Sequence, residues 1–155
     1  MPKGTFGPTL ARIIRKRSHA ILDGARGAFK RGDDAELHAL RIDLKHLRYT
    51  LELVAPIARD EVCAALDLLA LMQERLGDLA DADTFGRTYA NLARGLPVND
   101  PRLAGLTTLR AQAARDRARA LEAARALWRG AEGTYPERLA ASISAMLGSL
   151  SNGVA

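Results

Sequence analysis

Apolar residues recur every three to four positions along most of the chain and nowhere alternate with polar ones, so the pattern predicts helices throughout. The first helix is expected from about Thr9 to Lys30, after a start rich in Gly and Pro (MPKGTFGPT). Asp33-x-x-Glu36 has the form of a capping box and opens a second helix, 35–55, which Pro56 ends. A third is expected over 60–76, stopping at Gly77, and a fourth over 80–94, stopping at Gly95. The segment GLPVNDP is a break, and Asp100-Pro101 reads as a cap followed by a first-turn proline that opens a long fifth helix to Arg129. Gly130 to Gly133 interrupts it, and Thr134-x-x-Glu137, a second capping box, precedes a short last helix from Tyr135 to Leu147. The expected fold is all-α: an antiparallel helical bundle of about six helices joined by short connections. It spans 1–155 as one domain: a flexible start (1–8), a four-helix core (9–95), a linker (96–100), the long and short helices (101–150), and a frayed tail (151–155).

The second helix has an unusual division of faces. At about 100° per residue, Leu37, Leu40, Leu44, Leu47, Leu51 and Val54 fall in one arc, which is the core face. His38, Arg41, Lys45 and Arg48 form a basic stripe beside it, and Ile42, Tyr49 and Leu53 form a further apolar arc beyond the stripe. A solvated charge run normally lies opposite the core. A stripe between apolar arcs suits a cleft wall or an interface, where buried cations need counter-charges. Glu52 lies in the stripe and supplies one; a bound anion or an internal salt-bridge seam would supply the rest.

The first helix repeats the theme. Arg12, Arg15, Lys16, His19, Arg26 and Lys30 share one arc of roughly 100°, about 27 Å long. Leu10, Ile14, Ile21, Leu22, Ala25, Ala28 and Phe29 line the adjoining side. Were the two helices to set their stripes side by side, they would form an extended basic track suited to a long polyanion. Composition sharpens this reading. The 155 residues carry a net charge of +5, and 19 of the 23 basic residues are Arg, whose planar fork matches phosphate oxygens. A coding bias toward Ala and Arg accounts equally well for the bulk count, so placement carries the weight.

The segments LHALRIDLKHLRYTLELVAPI (37–57) and LMQERLGDLADADTF (71–85) together resemble the conserved-histidine α-helical domain (CHAD) family. The likeness rests on His38, Arg41, Lys45, Arg48-Tyr49, Leu71-x-Gln73-x-x-Leu76-Gly77 and Asp81 in this order and spacing. It is close over about 10–95 and weaker through the fifth helix. The resemblance implies an all-helical protein that binds inorganic polyphosphate through basic residues lining a cleft, in some members at polyphosphate granules. The family domain usually holds two facing bundles; this chain is similar to the second alone. That departure implies a homodimer, a partner supplying the other half, or a reduced form. His46 stands where the family often has Arg or Lys, on the outward face.

The same residues admit other readings. Tyr49 and Cys63 are expected in the core, and Gln73 in a structural hydrogen bond. Asp78, Asp81 and Asp83 would cap the following helix more readily than hold a metal, and Asp81 is a candidate partner for a cleft arginine. No cofactor is implied, and no nucleophile stands in a recognisable setting, so an enzyme is not expected. Nucleic acid is the main rival, disfavoured by the scarcity of aromatics (5%) for base stacking. A protein-interaction module using Arg102, Arg110 and Arg117 of the fifth helix is the third reading. No run is long and apolar enough to span a membrane, and a cytoplasmic location follows as the expectation. The polyphosphate reading names Arg12, Arg15, Lys16, His19, Arg26, Lys30, His38, Arg41, Lys45 and Arg48 as the binding residues. Protonated histidines would add donors, so affinity is expected to rise as pH falls toward 6, a value near the ordinary histidine range.

Overall fold

The computed structural model describes residues 6–56, 59–131 and 133–152. Within them the chain forms five α-helices: α1 (Phe6–Arg31), α2 (Asp34–Glu52), α3 (Arg59–Arg94), α4 (Arg102–Arg129) and α5 (Tyr135–Asn152). The expected third and fourth helices are one. Gly77 has no positive φ, and a glycine inside a helix costs only about 1 kcal/mol relative to alanine. The buried series Val62, Ala65, Leu69, Met72, Leu76, Leu79 and Ala82 runs through it without a phase break. Burying Leu side chains at about 1.5–3 kcal/mol each outweighs that cost. The last helix also overruns its expected end, continuing past Leu147 and Gly148 to Asn152, because Ile143, Met146 and Leu147 keep it on the core. Residues 151 and 152 of the expected frayed tail are thus helical, as are 6–8 of the expected flexible start, which α1 takes up; 1–5 and 153–155 lie outside the described residues.

The helix starts follow the sequence closely. Asp33 accepts from the Glu36 amide at 3.0 Å, and Thr134 and Glu137 exchange both bonds of their capping box. Asp100 accepts from the Arg102 backbone and guanidinium, which together draw its carboxyl down to about 2. Gly32 closes α1 at φ +68°, a conformation costly for any other residue; a Cβ there would press on Leu121 and Arg125.

α3 is the central helix, packed against α2, α4 and α5, while α1 lies against α2 and α5. The Leu face of α2 is buried as expected, from Leu37 to Val54. It meets Ile14, Ala25, Ala28 and Phe29 of α1, the α3 series, and Leu139, Ile143 and Met146 of α5. Tyr135 ties α5 to α3 by donating to the Leu68 carbonyl at 3.0 Å in the core, where burial pushes its phenol above the ordinary range. Trp128 packs against Phe29 and Tyr135, linking the ends of α1, α4 and α5.

Candidate anion-binding groove

α2 and α3 run antiparallel, and the groove between them has a volume of about 570 Å³. Leu37, Leu76 and Leu79 form its buried floor. His38 and Arg41 of α2 stand on one wall, and Thr84 and Arg87 of α3 on the other. His38, Arg41 and Arg87 are exposed and make no side-chain hydrogen bond or ion pair with a described residue. Three carboxylates share the groove: Asp34, Asp81 and Asp83. Two are engaged by one residue of α4. Arg117 donates Nε–H to Asp83 at 2.7 Å, and its Nη2 reaches both Asp34 and the Gly32 carbonyl. Asp34 chiefly, by hydrogen bonding, raises the Arg117 guanidinium above its ordinary value. Charge in the groove is thus mixed, but its cations are unpaired and most of its anions are not.

Farther along α2 the stripe changes character. Arg48 is half-buried; its Nη1 donates to Gln73 Oε1 at 2.9 Å, the structural bond expected of Gln73. Its Nε lies 3.0 Å from Glu52 Oε1, off line for a hydrogen bond, so that contact is an ion pair. Lys45 and Arg48 both sit over the Tyr49 ring, 5.6 and 5.7 Å from its centre. Tyr49 itself is not a core residue. It is 45% exposed, and with Ile42 at 38% and Leu53 at 81% it makes the outer apolar arc a solvent-facing surface in the single chain. The helix has one face against the bundle, and a second arc some 180° away has nothing to pack on.

On α1, Arg12, Arg15, Lys16, His19, Arg26 and Lys30 are all exposed and form no ion pair with a described residue. They do not adjoin the α2 stripe. The groove between α1 and α2 is lined by Ala20, Gly24 and Arg31 on one side and by Glu36, Ala39 and Asp43 on the other. Arg31 forks onto Glu36 across it, at 2.7–3.0 Å. α2 turns its basic stripe toward α3, whereas α1 turns its own away from α2. The expected continuous track across the first two helices is therefore two separate basic surfaces.

Other expectations also change. Cys63 is exposed, because Val62 and Ala65 occupy the inward phase of α3. Asp78, Asp81 and Asp83 cap no helix, since α3 is continuous; Asp78 lies 3.8 Å from Arg75, and Asp83 serves Arg117. Among the described residues no group of three or more His, Cys, Asp or Glu is placed to hold a metal. Asp81 faces the groove without an arginine partner there; Asp83 has that role. Arg117 is committed within the fold rather than offered for docking. Arg87 was not anticipated. It lies 14 residues, four turns, beyond Gln73 on one face of α3, a relation visible only when the helix is read through Gly77.

Among the described residues no helix is long and apolar enough to cross a membrane. The family described as CHAD domain matches residues 2–90, more than half of the chain, spanning α1, α2 and most of α3. No curated protein and no solved structure matches. The chain belongs to the CHAD domain family, which is linked in general to polyphosphate and triphosphate binding and whose domain is generally a binding module.

Proposed function

We propose that this protein binds inorganic polyphosphate and is not an enzyme, with the α2–α3 groove as the primary contact. The observation that carries this reading is the set of unpaired donors on facing walls, His38 and Arg41 opposite Arg87, beside Asp34 and Asp83, both of which Arg117 already holds. Two guanidinium forks on one groove suit successive tetrahedral phosphates, and Lys45 and Arg48 extend the positive wall along about 15 Å of α2. Arg12, Arg15, Lys16, His19, Arg26 and Lys30 offer a second surface to a chain long enough to reach around the bundle. A thin, flexible polyanion fits an open groove between helices; a duplex is too wide to enter it.

The partner in this reading is polyphosphate, with a second copy of the chain, or a second bundle of the same kind, closing over the groove. The site of action is the cytoplasm, at polyphosphate granules.

The test is binding of labelled long-chain polyphosphate at low salt. Arg41→Ala combined with Arg87→Ala should lower affinity at least tenfold and flatten its salt dependence while helical content is retained. Both side chains are exposed and bonded to nothing described, so folding is not expected to suffer. Duplex DNA at equal charge should compete poorly. Unchanged affinity in the double variant would sink the assignment, and preferential displacement by DNA would move the protein to the nucleic-acid class.

A further inference from the structure

The C-terminal ends of α1 and α4 carry a cation cluster that the α2–α3 groove does not use. A cleft of about 460 Å³ opens between the C-terminal turns of α1 and α4. Arg26 and Lys30 line one side and Arg125 and Arg129 the other, with Trp128 as a wall. A single carboxylate, Glu122, is present, and Arg129 pairs with it. Arg125 donates Nε–H to the Phe29 carbonyl at 2.9 Å, which fixes its guanidinium at the cleft. Arg26 and Lys30 are exposed and pair with no described residue.

Cations gather at helix C-termini for a simple reason, and that reason accounts for only part of this cluster. Each helix end carries roughly half a negative charge. Two ends meet here, so they balance about one of the four cations, and Glu122 balances another. About two positive charges remain on one cleft, and nothing described offsets them. Trp128 is half-buried and already packs on Phe29 at 5.1 Å and Tyr135 at 5.8 Å between ring centres. It therefore acts as a rigid wall, and recognition falls to the charges and to the guanidinium forks.

We propose that this α1–α4 cleft is a second anion site, which takes a compact oligophosphate through Arg26, Lys30, Arg125 and Arg129. Four of its seven lining residues come from α4, beyond the family match, so the site needs this chain's second half as well as α1. It shares Arg26 and Lys30 with the second surface of the proposed function and does not depend on the reading of the α2–α3 groove.

Trp128 is the only tryptophan in the chain, so its emission reports on this cleft directly. Titration with sodium tripolyphosphate at low salt should give a saturable change in emission. Calorimetry run in parallel should count two sites per chain, or one if the α2–α3 groove binds nothing. Arg26→Gln with Lys30→Gln should abolish the emission change and remove one site, with an unchanged melting temperature. Arg125→Gln, checked for retained helicity, should weaken the same site. Arg41→Ala with Arg87→Ala should leave the emission titration as in the wild type. ATP should titrate like tripolyphosphate, since the phosphates carry recognition; a nucleoside should give no response. A site count that the Arg26/Lys30 substitutions leave unchanged overturns the proposal. So does an emission change that disappears with Arg41 and Arg87.

Discussion

Arg117 shows how one side chain can govern a groove it does not line with a free charge. Its guanidinium bonds Asp83 of α3, Asp34 at the start of α2 and the carbonyl of Gly32 in the α1–α2 turn, so three elements meet on one planar fork. Hydrogen bonds to charged groups contribute about 1.5–3 kcal/mol where they are shielded, and this one is only partly shielded. Arg117→Ala should destabilise the fold by about 1–3 kcal/mol, read by urea denaturation. It should also release two carboxylates beside His38, Arg41 and Arg87. Under the polyphosphate reading, affinity should then fall several-fold at temperatures where the variant is folded. An affinity equal to the wild type in folded Arg117→Ala would mean that the anion does not sit near Asp34 and Asp83. The sequence offered no signal for this node: Arg117 is one of many α4 arginines, and its partners lie 34 and 83 residues away.

At the level of the element, the start and core face of α2 were legible, because the Asp33 cap and a strict Leu face agree; its end was not, for the helix stops at Glu52 rather than at 55, before Pro56. The capping box of α5 was equally legible, since Thr134 and Glu137 satisfy orphan amides through local geometry. α3 was not. Gly77 is a breaker by local propensity, and only the core that α2, α4 and α5 build around it decides otherwise. The consequence reached the site: with the helix cut at Gly77, Arg87 had no fixed phase relative to Gln73 and could not be placed opposite Arg41. The basic stripes were legible as stripes, but the direction in which each helix turns its stripe is a tertiary property. Gly77 also offers a direct check. A Cβ added there meets nothing within 4 Å, and its φ suits any residue. Gly77→Ala should therefore stabilise the protein by about 0.5–1 kcal/mol, seen as a raised denaturation midpoint with an unchanged slope. A loss of stability would show that the continuous α3 needs flexibility at that turn.

For the whole molecule, the telling feature is an apolar arc, Ile42, Tyr49 and Leu53, exposed next to the basic stripe of α2. Three side chains fall short of the roughly 800 Å² that each partner buries in a stable interface. Two copies brought together by this face would also set Arg41 and Lys45 against their counterparts, each chain carrying a net +5. A dimer through this face is therefore disfavoured by charge and too small in apolar area, until an anion lies between the stripes. In the proposed pairing polyphosphate would supply what is missing, because it would neutralise both stripes at once and add contacts to each. The proposed pairing thus has a ligand-dependent signature. Light scattering behind size exclusion should find a monomer of 16.7 kDa alone and twice the protein mass with long-chain polyphosphate at low salt. High salt should return the monomer. Ile42→Ser with Leu53→Ser should prevent the doubling while each chain still binds polyphosphate, because neither side chain is among the cations. Protein mass that stays at one chain per complex under saturating polyphosphate would show that a single bundle suffices. The exposed arc would then need a different partner, one that recognises an apolar strip beside a row of positive charge.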